Sequence, residues 1–408
     1  MKGRIELINK IQITHILIVG ACIRLVWLLL VPIDPVSDSV MYLEFAKSIS
    51  NGDGYAYPDG KLTAYWAVGT SAIYALIIKL FGLNMLVISI FNLLIGVMTI
   101  YFVWSIANQL LNEHKAKIAA LIICFWPMLI QYTTIIGSEL LFIFFLSLSL
   151  FIWLKESYNV YLKAVLFGLA IAITSYIRPV AVPLLIILPI LMFFKDFNWR
   201  EPLKLLVVSC LVAGVLFTPW SIRNTELNQE FVFLSTNFGT NLWMGNNPDS
   251  NGGYMPLPSL QYNSEKHRET LLKNKAITFI KDNPSDFILL SFKRVNITYS
   301  RETIGVVWNL KGLSSIGGDS AVFFLKAISS IYWLVVFLLA VISMLILLIG
   351  AFKKNIFSIE IVLLVFLGVI PVLVVGQDRY HAPIIPSVAL LAANMISQFM
   401  NKYIKSKN

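Results

Sequence analysis

Long apolar stretches separated by short basic loops run along the chain, and their lengths set the first expectation. A helix needs about 20 apolar residues to cross a bilayer. Runs at 11–32, 83–107, 118–136, 139–154, 163–178, 180–194, 204–220, 322–350, 356–375 and 382–400 read as crossings. The stretch 64–82, "AYWAVGTSAIYALIIKLFG", is an eleventh candidate. Short loops rich in Lys and Arg stay on the cytoplasmic side, which decides between the two counts. With ten crossings, fifteen Lys and Arg fall in short inner segments, among them Lys2, Arg4, Lys10, Lys353, Lys354 and Lys407. Two, Arg178 and Arg379, fall in short outer turns. Counting 64–82 as a crossing would reverse every later loop, so it is expected to lie on the outer surface or to dip in and return.

Both termini are then inside, and the expected organisation has three parts. Residues 1–220 form a transmembrane module that includes a first outer loop, 33–82. Residues 221–320 form a large outer loop, and 321–408 form the C-terminal membrane helices. The basic N-terminus precedes an apolar stretch too long for a signal-peptide core and not closed by a small-x-small site, so it reads as an uncleaved span. The second outer loop begins with turn-rich "GNNPDSNGGY" and continues into two predicted helices, 264–281 and 283–299. Asn283 is the expected cap of the second, with Pro284 at its first helical position.

Composition sharpens this picture. Of 408 residues, 58% are hydrophobic and 13% charged, against about 25% charged in an ordinary soluble domain. The expectation is an all-α polytopic membrane protein. The net charge of +10 is dispersed along the chain, so membrane topology accounts for it better than nucleic acid. Cys22, Cys124 and Cys210 lie singly inside apolar runs and form neither a CxxC pair nor a disulfide framework.

Candidate chemistry collects at the outer rim. "DPVSDSVMYLEFAKSIS" reads as an interfacial helix, with Asp34 suited to the cap and Pro35 to the first turn. Asp38 differs, because helical spacing puts it on one face with Met41, Tyr42, Phe45 and Ile49. Ionisable groups at membrane depth are usually functional, and desolvation there suits a general base. Glu139 in "TTIIGSELLF" emerges on the same side, its bland alternative being a charge at a helix N-terminus. Three arginines reach the same rim: Arg178 in "SYIRPV", Arg223 in "TPWSIRN" and Arg379 in "QDRYHAP". Two or three of them opposite carboxylates suit an anionic ligand such as a lipid phosphate, which guanidinium binds bidentately. Tyr380 and His381 extend the same pocket, although a His close to Pro383 is as often structural. Arg24, inside the first span, is expected to face protein and to pair with a carboxylate.

These stretches in order resemble membrane glycosyltransferases of the GT-C superfamily, in the family 39-like branch of protein O-mannosyltransferases and lipid A aminoarabinose transferases. The resemblance rests on Arg24, "SDSVMYLEFAKSISNGDGY", "TAYWAVGTSAIYALIIKLFG", "SELLF", "TSYIRPVAVPLL", "TPWSIRN", "STNFGTNLWMGNNPDSNGGY" and "DRYHAPIIP". It implies a bundle of about ten transmembrane helices with juxtamembrane helices and a large loop on the outer face. It also implies transfer of a hexosyl or pentosyl group from a polyprenyl-phosphate carrier to a lipid, glycan or protein acceptor, as in lipopolysaccharide modification. The expected setting is the bacterial inner membrane, among membrane lipids and without nucleic acid. The catalytic acids then fall on Asp38 and Glu139, and the phosphate-binding cations on Arg223 and Arg379. Arg178, Tyr380, His381, Asn246 and Lys61 complete the implied substrate-binding set. Relatives carry a Pro-Gly-Tyr-Pro-like run where this chain reads "AVGTSA", which bears on first-loop shape and acceptor choice.

Elementary chemistry points the same way. Nucleotide sugars are not available on the outer face, so an activated sugar there arrives on a lipid anchor. Displacing a phosphate needs a base for the acceptor proton and cations for the departing anion. Two carboxylates can also contribute to a Mg2+ or Mn2+ site, though hard cations take more oxygen ligands than this sequence offers. Two other readings stay open. A transporter or flippase of an anionic lipid or solute would use the same charges, but these sit at the rim rather than the midplane, without repeated halves. A glycan polymerase or ligase would rely on Arg379 and His381 and make Asp38 dispensable.

Overall fold

The structure, a computed structural model, describes residues 11–351 and 358–405. Lys2, Arg4, Lys10, Lys353, Lys354 and Lys407 of the inner charge pattern lie outside these described residues. Within them the chain is helical, with a single isolated bridge, Ala56 to Leu62, and no strand.

Among the described residues, six helices are long and apolar enough to cross a membrane. They are α1 (Ile13–Leu30), α4 (Met85–Leu110), α8 (Val160–Ile177), α10 (Arg200–Asn228), α15 (Leu310–Ala351) and α17 (Ile385–Lys405). A seventh crossing forms if the bent pair α5 (Glu113–Cys124) and α6 (Pro127–Gln131) acts as one span. The other expected crossings are the shorter helices α7 (Ser138–Leu154), α9 (Leu184–Asp196) and α16 (Ile359–Leu373). At about 1.5 Å per residue, 13 to 17 residues reach only about 20–25 Å, less than a hydrocarbon core of about 30 Å. The stretch 64–82 forms α3 (Gly69–Phe81), 13 residues long like α9.

Local chemistry sets the boundaries. Asn84, Asn112 and Asn159 cap α4, α5 and α8 by accepting the amides of Leu86, Lys115 and Leu162, as short polar side chains do at helix starts. Pro127 has no N–H to extend α5, so the chain bends by 54° there. Arg24 meets that break. Contrary to expectation it has no carboxylate partner among the described residues, and its Nη1 donates to the carbonyls of Gly20 and of Cys124, the last residue of α5, at 3.2 and 3.3 Å. A freed helix-end carbonyl satisfies part of a buried cation that the sequence assigned to an acid.

The segment 33–82 carries α2 (Asp38–Asn51), and here the structure corrects a cap. Ser37 takes φ +53° and the helix begins at Asp38, not near Asp34, which pairs with Lys311 at 2.8 Å. The region 221–320 holds α11 (Phe238–Gly245), α12 (Glu265–Asp282), α13 (Pro284–Tyr299) and α14 (Ile304–Val307). Pro284 does open α13, but Asn283 makes no side-chain cap and donates back to Phe279 O. The two regions are joined: Glu265 accepts the Thr63 hydroxyl and the Ala64 amide, both at 2.7 Å, and Ala64 O accepts the Thr236 amide. Gly245 packs so closely on α16 that a Cβ there would lie 1.9 Å from Val374 O.

Candidate active site

Four segments far apart in sequence meet at the ends of their helices. Asp38 opens α2 and Glu139 sits in the first turn of α7. Arg178 closes α8, where Pro179 follows, and Arg379 lies in the turn before α17. Arg379 bridges the two acids: Nη2 is 2.6 Å from Asp38 Oδ2 and Nη1 is 3.7 Å from Glu139 Oε1. Arg178 forms an ion pair with the same Glu139 oxygen and donates twice to Ser138 Oγ, at 3.0 and 2.9 Å. Two carboxylates thus face two guanidinium groups.

Exposure separates the acids. The Asp38 side chain is 26% exposed and that of Glu139 only 1%. Asp38 can therefore meet a substrate, while Glu139 is sealed behind the arginines. Rings line the cluster: Arg379 lies 4.9 Å from the Trp308 centroid and 5.5 Å from that of Tyr380, and Arg178 lies 6.0 Å from Tyr380. Burial pulls the Arg379 pKa down, but Glu139, Tyr380 and Asp38 outweigh it and hold the group well above its ordinary value, permanently charged. Tyr42, one turn after Asp38 and 5.3 Å from Trp66, is pushed up to about 12 by burial and then by Glu139 and Asp38. Two buried polar atoms at the cluster, Glu139 Oε2 and the Tyr132 hydroxyl, have no hydrogen-bond partner among the described residues. Buried polar atoms are nearly always paired, so both mark places for a ligand group or water.

The structure brings together Asp38, Glu139, Arg178, Arg379 and Tyr380. It does not bring Arg223 to the acids. Arg223 donates to Thr63 O and Tyr55 O, at 2.5 and 3.2 Å, and lies 4.7 Å from the Trp220 ring. Its fork holds the loop 55–63 rather than standing beside Arg379. His381 is fully buried against Trp333, 3.9 Å between rings, and bonds Thr298 and Glu302. Asn246 is buried too, donating to Leu373 O and Val374 O and accepting from Arg294. Lys61 is exposed on a turn beside Asp59. Sequence reasoning passed over Tyr132, Ser138, Glu302 and Trp308. For Ser138 the signal was its place before Glu139; for the others only the fold supplies one.

The profile of the dolichyl-phosphate-mannose-protein mannosyltransferase family matches residues 67–222, a stretch that contains Glu139 and Arg178. No curated protein matches the chain. Three similar solved structures cover nearly all of it. The Archaeoglobus fulgidus oligosaccharyltransferase AglB, in complex with an inhibitory peptide and a dolichol-phosphate, has TM-score 0.58 and 14% identity over 97% of this chain and 51% of its own. The A. fulgidus enzyme complexed with Zn and sulfate has TM-score 0.56 and 16% identity over 95% and 49%. ArnT from Cupriavidus metallidurans, bound to undecaprenyl phosphate, has TM-score 0.53 and 15% identity over 94% and 60%. The chain spans about half the length of the archaeal enzymes. The helical fold of the described residues is similar to that of these solved structures, in keeping with the fold that the resemblance implied.

Proposed function

We propose that the chain is a glycosyltransferase that moves a sugar from a polyprenyl-phosphate carrier to a hydroxyl-bearing acceptor on the outer face of the membrane. The observation that carries this reading is the Arg379 bridge, with Asp38 accessible and Glu139 sealed. Asp38 takes the acceptor proton, a general-base role. Arg379 and Arg178 supply fixed positive charge for the departing phosphate. Glu139 holds both guanidinium groups in place and does not itself reach the acceptor. A carrier phosphate competes with Asp38 for Arg379, so donor binding releases Asp38 for the acceptor.

The GT-C architecture and the family match over 67–222 support the reaction class, and similar proteins were solved with dolichol-phosphate and undecaprenyl phosphate. A divalent cation between Asp38 and Glu139 fits poorly, because Arg379 lies between the two oxygens it would join. Among the described residues no group of three His, Cys, Asp or Glu forms a metal-ligand set. No step is therefore assigned to a metal. Arg223, with Glu265, shapes the first outer loop above the site.

Purified protein supplied with a panel of polyprenyl-phosphate sugars and lipid, glycan and peptide acceptors tests the proposal. Sugar transfer to one acceptor, followed by mass spectrometry, is the expected result. Movement of the intact lipid between leaflets without glycosidic transfer would favour the transporter reading instead.

A further inference from the structure

The mechanism leaves a buried acid and a buried histidine unused. Glu302, between α13 and α14, accepts the indole N–H of Trp126 at 2.9 and 3.2 Å. Its Oε1 also lies 3.1 Å from His381 Nε2, and both side chains are fully buried. The other ring nitrogen, His381 Nδ1, is 2.7 Å from Thr298 O. A carbonyl oxygen only accepts, so Nδ1 carries a proton. Were the ring neutral, Nε2 would be bare and would face a carboxylate oxygen lone pair to lone pair. A buried contact of that kind costs free energy on both sides, so one proton lies between Nε2 and Oε1. Two features put it on the ring. Glu302 already accepts an indole N–H, which favours carboxylate, and the imidazole stacks on Trp333 at 12°, where a cation is attracted to the indole face. The neighbouring titratable groups are the phenols of Tyr299, 6.4 Å from the His381 ring, and Tyr332, bonded to Ile122 O. Both are neutral near pH 7 and supply no competing charge.

This pair is one of two clips on the same turn. Asp378 Oδ2 accepts the amide and hydroxyl of Thr303 at 3.0 and 2.6 Å, and His381 meets Glu302. Consecutive residues 302–303 thus grip the chain on either side of Arg379. Within the turn, Gln377 Oε1 accepts Arg379 Nε at 2.8 Å and Arg379 O accepts the Ala382 amide.

We propose that Glu302 and His381 are positioning residues joined as a buried imidazolium–carboxylate pair, and that this pin fixes Arg379 between Asp38 and Glu139. The placement of Arg379 rests on the geometry alone; its consequence for donor binding rests on the function proposed above. Full-length protein in nanodiscs, labelled with 15N on the histidine rings, tests the proton directly. The chain has four histidines, and His381→Gln identifies the resonance. Both ring nitrogens of His381 should be protonated near neutral pH. In Glu302→Gln the amide can donate to Nε2 and accept from Trp126, so Nε2 should lose its proton. A bare Nε2 in the parent, or a protonated one in Glu302→Gln, overturns the assignment.

The positioning role is read from binding of undecaprenyl phosphate. Glu302→Ala should weaken it by about tenfold or more, the weight of a lost hydrogen bond to a charged group. Glu302→Gln, which keeps the pin's shape, should restore it, and kcat at saturating donor should follow the same order, lowered in Glu302→Ala and recovered in Glu302→Gln. Equal weakening in both variants, or none in Glu302→Ala, would contradict the pin. If the parent itself binds no polyprenyl phosphate, the functional proposal fails while the ring-nitrogen result still judges the pair.

Discussion

Removing the negative charge of Glu139 should destabilise the fold while sparing the shape of the site. Glu139 is 1% exposed and shares one oxygen between Arg178 and Arg379. Breaking a buried ion pair from one side costs about 3–5 kcal/mol, because a charge is left behind. Three features lower that figure for Glu139→Gln. The amide oxygen still accepts a hydrogen bond, Arg178 keeps Ser138 at 2.9–3.0 Å, and Arg379 keeps Asp38 at 2.6 Å. The expected loss is about 2–3 kcal/mol, near the upper range for hydrogen bonds to charged groups. Arg178→Gln, which leaves Glu139 with Arg379 at 3.7 Å, should cost a similar amount. The double variant removes both charges, so it should cost at least about 1 kcal/mol less than the sum, as contacting residues do in a double-mutant cycle. SDS-driven unfolding in mixed micelles measures all four proteins. If Glu139→Gln lies within about 0.5 kcal/mol of the parent, or the two changes simply add, the buried ion pair is not what holds these helix ends together.

Three further predictions follow from the site and its topology. Replacing Arg379 with Ala should weaken binding of a polyprenyl phosphate, and Lys should restore it only in part because it lacks the planar fork; full affinity in the Ala variant, by calorimetry, would remove Arg379 from the phosphate site. Cysteines placed at Tyr254 and at Ser157, both on exposed or surface-edge positions, should label with an impermeant reagent from opposite sides of sealed vesicles; labelling from one side would overturn the topology. The Tyr42 phenol, pushed from 10.0 to about 12, binds its proton more tightly when folded. Its contribution is fully present below pH 10, is lost as pH rises towards about 12, and is absent in Tyr42→Phe, so an alkaline limb of activity below pH 10 should be the same in both proteins.

How much of this was legible in the sequence depends on whether an inference was local. Apolar run length located the helices, and Pro284 marked the start of α13. The crossing count was less legible, since α7, α9 and α16 are apolar but short. Asp38, Glu139 and the two rim arginines could be named because charge is rare at membrane depth. Which arginine meets which acid could not. Arg223 and Arg379 look alike at their span ends, yet one grips Tyr55 and Thr63 carbonyls while the other bridges the acids. Asp34 misled because Asp-Pro is a good helix start, and Ser37 at positive φ moved the start to Asp38. Glu302 gave no local signal, because its partners Trp126 and His381 lie 176 and 79 positions away.

The central claim is that Asp38 removes the acceptor proton. Asp38→Asn keeps size and polarity but cannot take that proton, whereas Asp34→Asn, four residues earlier, touches only the pair with Lys311. The most direct measurement is the single-turnover rate of sugar transfer from polyprenyl phosphate with donor saturating. The account predicts a fall of about 10²–10⁴ for Asp38→Asn, the usual cost of losing a general base, with donor binding retained and Asp34→Asn near the parent. Transfer by Asp38→Asn at close to the parental rate would contradict it.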